Sequence, residues 1–204
     1  MNILKSNTYI DYTGIMDVLK DYASPKSKLT TMIKKGDVIK VRRGLYLPRD
    51  SKWYSMKILA NIIYGPSYIS FESALSHYGL IPENVPSITS ACFNKNKNKT
   101  FKTPVGTFIY RYTNPKIYPY GIRRLEEGDG TFMIASPEKA LCDMLSKIRG
   151  IADSVAFERL INDDLRIDIN QLKEFDISKV KFLSDLYHKK IIRLLLSYLE
   201  ETGR

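Results

Sequence analysis

Glu138, Lys139 and Asp143 stand close together in the stretch "ASPEKALCDML". Two carboxylates beside a lysine are side chains that a metal-dependent nuclease turns on a phosphodiester. The spacing argues against that chemistry. It calls for residues two apart, sharing one face of a strand. Glu138 and Lys139 are adjacent, and they open a helix that Ser136-Pro137 would cap, where Glu138 complements the helix dipole. No glycine-rich phosphate loop, nucleophile elbow or metal-ligand cluster accompanies them. His77 and His188 are isolated, and His77, on a helix from Ser70, reads as structural. Cys92 and Cys142 lie 50 residues apart and make neither a disulfide framework nor a zinc pattern. We therefore expect no enzyme, no metal and no cofactor, with a nuclease built on Glu138, Lys139 and Asp143 as the alternative.

The side chains whose types and spacing do point to chemistry are cations. The net charge is +10, and it is unevenly placed. Residues 1–50 carry +5, residues 51–94 are neutral, residues 95–124 carry eight basic side chains and no acidic one, and residues 125–204 carry −3. Two basic blocks against a mildly acidic C-terminal part imply a polyanion bound at the N-terminal side. Within residues 22–49 there are eight basic residues and one acidic one.

The elements that must position these cations are legible. Ile15, Val18, Leu19 and Tyr22 mark one face of a helix over 13–22. Ser24 as N-cap, Pro25 at the first position and Gly36 at the C′ position bound a second helix, with Leu29, Met32 and Ile33 inward. Ser27, Thr31 and Lys34 then point outward, flanked by Lys28, Thr30 and Lys35. "VIKV" and "LYLP" read as short strands around Gly44, placing Lys40, Arg42 and Arg43 on a hairpin.

This order is that of a winged helix-turn-helix. Ser27, Lys28, Thr30, Thr31 and Lys34 would face base edges in the major groove, and Lys26, Lys35, Lys40, Arg42 and Arg43 would lie along phosphates. The competing reading is a solvated basic face on a small helical subdomain.

Beyond a polar stretch at 50–56, the pattern predicts helices over 54–64 and from Ser70 to Gly79, then strands "SITSACF" and "GTFIYRY". Between these lies a polar, basic hairpin loop whose Lys95, Lys97, Lys99 and Lys102 would extend the DNA footprint. Phe101, Phe108, Tyr110, Tyr112, Tyr118 and Tyr120 form either a stacking platform for single strands or, the reading we prefer, an aromatic core face. From about residue 136 the chain reads as helices, the last over 178–200. The fold class expected is α+β, with a winged helix-turn-helix over 1–50 and a larger mixed α/β domain over 51–204. No apolar run approaches the ~18 residues of a membrane span, and the N-terminus has no signal-peptide pattern, so a cytoplasmic protein is expected.

Taken in order, "IKKGDVIKVRRGLYLP", "YISFESALSHYGLIPE", "FKTPVGTFIYRY", "YPYGI" and "ASPEKALCDML" resemble the AbiEi family, the antitoxins of type IV toxin–antitoxin systems. The resemblance covers most of residues 13–146. It implies a winged-helix domain that binds inverted repeats in its own promoter and represses its operon, self-associating on the double-stranded DNA. It also implies a C-terminal domain that counteracts a nucleotidyltransferase-like toxin without a stable complex, in phage defence. A stand-alone winged-helix regulator on the same scaffold is the other possibility. Residues 1–10 match no family element.

Overall fold

A computed structural model of the chain describes residues 9–49, 51, 54–83, 85–93 and 96–202. The fold is α+β, and its first elements are set by caps. The Asp11 carboxylate accepts from the Gly14 N–H at 2.7 Å and opens α1 (Tyr12–Val18), which turns Ile15 and Leu19 inward. The helix ends a turn short of the expected residue 22. α2 (Pro25–Lys35) runs from the Ser24-Pro25 start to Gly36, whose φ of 77° is the left-handed stop the sequence supplies. β2 (Val38–Arg42) and β3 (Leu45–Pro48) form the hairpin about Gly44 at φ 82°, and β1 (Ile10–Asp11) adds to the other side of β3.

The hairpin faces two ways. Val38 and Tyr46 close a small core with Ile15, Leu19 and Leu29. Val41, Leu45 and Leu47 point into the main core of the C-terminal part. All four residues of β3 are buried, so this strand is shared by both cores.

The C-terminal part begins with α3 (Met56–Ile63), where the Ser55 hydroxyl accepts from the Lys57 and Ile58 N–H groups at 3.2 Å each. Its strands are β4 (Ser67–Ile69), β5 (Ser87–Cys92), β6 (Lys99–Thr103), β7 (Gly106–Tyr112), β8 (Ile122–Glu127) and β9 (Gly130–Ala135). They form one mixed sheet in the order β6-β7-β5-β4-β9-β8, parallel at β5/β7 and β4/β9.

Strand β7 shows the layering. Tyr110, on one face, donates to the Ala60 carbonyl of α3 at 2.5 Å. Arg111, on the other, pairs with Glu72 of α4 (Phe71–His77) at 2.7 Å and lies over the Phe71 ring. α5 (Pro137–Leu145) packs beside α4. α6 (Ser154–Arg159), a π-helical turn at Leu160–Asp164, α7 (Ile169–Lys173), α8 (Ile177–Tyr187) and α9 (Lys190–Thr202) complete the chain.

Three features depart from expectation. The basic loop after β5 is in part strand: Lys99–Thr103 pairs antiparallel with β7, because β7 offers an otherwise open edge. This makes "SITSACF" and "GTFIYRY" parallel neighbours, with β7 inserted between β5 and β6. The charged stretch Ile122–Glu127, which carries no apolar alternation, is an edge strand on β9. The single helix expected over 178–200 breaks at His188, whose φ of 50° reverses the chain. Val180, Leu183 and Tyr187 of α8 and Ile191, Ile192, Leu195 and Leu199 of α9 are all buried on either side of the break.

Candidate nucleic-acid interface

α2 and the hairpin hold the expected cations at the surface of one small unit. Lys26, Lys34, Lys35, Lys40, Arg42 and Arg43 are all exposed, as are Ser27, Thr30 and Thr31. Leu29 is the helix's fully buried side chain, with Met32 and Ile33 packed partly beneath it, so the face the 100° stepping assigned to solvent is the one that meets it. Lys28 differs: it is half-buried, its Nζ 4.6 Å above the Tyr22 ring, and so is held back against its own helix pair. A bulge between Lys40 and Arg42 breaks the hairpin ladder just before the turn, and the two arginines follow directly on that irregularity.

The hydroxyl protons of Thr30 and Thr31 are committed within the helix, whereas Ser27 only accepts and keeps its own. Thr30 donates to the Lys26 carbonyl and Thr31 to the Ser27 carbonyl, each at 3.0 Å, and Ser24 donates to the Ser27 hydroxyl at 2.9 Å.

The second basic block is placed elsewhere. Lys97 is exposed just ahead of β6, and Lys99 and Lys102 are exposed on that strand at the free edge of the six-stranded sheet, where lysines also oppose edge-to-edge pairing. Lys95 lies outside the described residues. The aromatics of this block are mostly core: Phe108 and Tyr110 are fully buried, Phe101 packs on Tyr64 and Tyr110, and Tyr118 packs on Tyr68 and Phe93. Tyr120 is the exception, 43% exposed and edge-on to Phe182. A cavity of about 510 Å³ near α3 is rimmed by Glu127 and Asp129, an acidic lining that does not suit a polyanion.

The Glu138–Asp143 stretch is sealed inside the molecule. Lys139 is 0% exposed and Asp143 1%. The Lys139 ammonium donates to Asp143 Oδ1 at 2.9 Å and to the Tyr187 hydroxyl at 2.5 Å. Tyr187 in turn donates to Asp143 Oδ1, while Tyr68 and Ser70 donate to Oδ2 at 3.0 and 2.7 Å. Both carboxylate oxygens are thereby occupied by protein donors, and a phosphodiester has no route to them. The cluster joins α5, α8 and the start of α4.

It also explains "YPYGI": Gly121, at φ 67°, has no room for a Cβ, which would lie 2.9 Å from Lys139 Cβ. A sequence signal for this burial exists. Ala140, Leu141, Cys142 and Leu145 make α5 apolar nearly all round, so charges on it at i, i+4 must pair with each other.

Burial, reinforced by the Asp143 charge, pushes the phenols of Tyr68 and Tyr187 well above their ordinary value, and burial does the same for Tyr110. A phenol raised in the folded state contributes stability that is fully present below the unfolded value of about 10 and is lost as pH rises towards the folded one. In an alkaline titration read by tyrosinate absorbance, these three should stay protonated near pH ~11 and ionise only together with unfolding. Complete ionisation of a still-folded protein would contradict this. His77 sits edge-on to Phe132 and Tyr78, and desolvation with the Lys57 charge holds its imidazole below the usual range.

Both Cys92 and Cys142 are free, buried thiols. Among the described residues no cluster of His, Cys, Asp or Glu could hold a metal ion, and no helix is long and apolar enough to cross a membrane.

What these features define is an α+β protein with a basic helix–hairpin unit at one end. No family model matches the chain, and no curated protein matches it. Among solved structures it is similar to the crystal structure of the RV2827C protein from Mycobacterium tuberculosis, with a TM-score of 0.63 at 11% identity, over 99% of this chain and 74% of that one. At that identity the likeness establishes the fold alone.

Proposed function

We propose that this chain is a DNA-binding antitoxin of the type IV class, cytoplasmic and non-catalytic, that represses its own operon and counteracts a nucleotidyltransferase-like toxin. One observation carries the DNA-binding half. Six exposed cations surround a two-helix, three-stranded unit whose sheet order β1-β3-β2 suits a winged helix-turn-helix. α2 serves as the recognition helix and the β2–β3 hairpin as the wing, with Ser27, Thr31 and Lys34 towards bases and Lys35, Lys40, Arg42 and Arg43 towards phosphates. The antitoxin half rests on the ordered resemblance to the AbiEi family. The burial of Lys139 and Asp143 removes the support for a nuclease at that site.

The test is a fluorescence-anisotropy titration of the full chain on its own upstream region at several salt concentrations. Five or six neutralised phosphates give a log–log slope of about −5. A salt-independent response would overturn the reading. A nucleotidyltransferase gene beside this one separates the antitoxin from a stand-alone regulator.

A further inference from the structure

We propose that α2 reads thymine 5-methyl groups, and that the γ-methyls of Thr30 and Thr31 do the reading; this rests on the DNA-binding function proposed above. The geometry starts from the two helix-internal hydrogen bonds. Each threonine hydroxyl is drawn back onto the carbonyl four residues earlier, Thr30 to Lys26 and Thr31 to Ser27. Oγ1 and Cγ2 share one tetrahedral carbon. With the oxygen held against the backbone, the group that each exposed side chain turns away from the helix is its methyl. Adjacent positions lie about 100° apart around the helix and about 1.5 Å along it. Two neighbouring methyls therefore form a small apolar spot on an otherwise cationic face, between Ser27 and Lys34.

The composition of the helix narrows what that spot can recognise. Adenine is read by Asn or Gln, which pair bidentately with N6 and N7, and α2, "PKSKLTTMIKK", contains neither, nor any Arg, Asp or Glu. Its lysines can meet guanine or phosphate. The major-groove mark that thymine alone offers is its C5 methyl, and a threonine methyl is a matching apolar partner for it. Ser27 has no methyl, and its hydroxyl, which accepts from Ser24 and keeps its own proton, can meet any base-edge acceptor and so does not single out thymine. Ser24 and Ser27 fix the first turn, and the threonines one turn later carry the discrimination.

The experiment uses the full-length protein. A preferred duplex is first selected from a random-sequence pool, and each thymine in it is then replaced singly by deoxyuridine, which removes only the methyl. At one or two positions Kd should weaken about fourfold, the equivalent of one lost buried methyl. The same positions should become insensitive to the replacement in Thr30→Ser or Thr31→Ser, which keep the hydroxyl and its backbone bond. If uridine is silent at every position while the selected duplex is still preferred over scrambled DNA, the methyl reading is overturned and DNA binding stands. If no duplex is enriched and none is bound, both fall together. If uridine weakens binding equally in the serine variants, another side chain makes the contact and Thr30 and Thr31 are wrongly assigned.

Discussion

Asp143→Ala is expected to lower the free energy of unfolding by about 3–5 kcal/mol, the range for breaking a buried ion pair from one side. Lys139 is fully buried, and Asp143 is its counter-charge at 2.9 Å. Without the carboxylate the ammonium is left desolvated with no counter-charge, only the Tyr187 hydroxyl and the rings of Tyr68 and Tyr187 beside it, and Tyr68 and Ser70 lose the acceptor for their own protons. The comparison that isolates charge from packing is the double change Lys139→Met with Asp143→Leu. It leaves no unpaired buried charge, so it should cost less than the single change, although Tyr68 and Ser70 lose their acceptor in both. Urea denaturation at neutral pH followed by circular dichroism measures both. Equal losses in the two variants would mean that the cluster matters for its shape and not its charge.

Arg42→Ala combined with Arg43→Ala is expected to weaken binding to operator and to scrambled duplex by the same factor. It should also reduce the salt slope from about −5 to about −3, roughly one unit for each phosphate no longer neutralised. Both guanidinium groups flank the Gly44 turn, are exposed, and form no ion pair among the described residues, so removing them should leave the fold intact. On the function proposed above, growth rescue in cells expressing the neighbouring toxin should survive in this double variant, because both arginine side chains are exposed and neither belongs to the main core. Loss of rescue at unchanged protein level would show that repression and antitoxicity share one surface. A change in sequence preference in the wing variant alone would show instead that the hairpin, not α2, reads bases.

Deleting the C-terminal part is a poorer way to separate the two roles. Val41, Leu45 and Leu47 would lose their packing partners, since that face of the hairpin is buried only by the larger core.

Much of this molecule was decided locally and could be read from the chain. Pro25 and Gly36 bound α2, Gly44 turns the hairpin, and Ser136-Pro137 starts α5, because caps and turns act within a few residues of themselves; the expected Ser24 side-chain cap is not made, its hydroxyl donating to Ser27 instead. The outward placement of Ser27, Thr31 and Lys34 followed from the helical period once Leu29 was known to face in. The alternation in "GTFIYRY" put Phe108, Tyr110 and Tyr112 on one face of a strand; Phe108 and Tyr110 are buried there, while Tyr112 at the strand's end is only half-buried.

What the tertiary structure alone decided was partnership. Lys99–Thr103 and Ile122–Glu127 have no apolar alternation and become strands only because β7 and β9 present open edges to them. The β5/β7 pairing is parallel because of where the intervening chain crosses, which no local pattern encodes. His188 takes a left-handed conformation that ends α8 and turns the chain into α9, a break that the continuous apolar period over 178–200 does not signal. Lys139 and Asp143 are the most deeply buried ions of the described chain; the apolar run around them hints at burial, but not at which side chains seal them. Their environment is supplied by Tyr68, Ser70 and Tyr187, residues from 44 to 75 positions away from Asp143, and burial depends on such distant neighbours while local propensity does not.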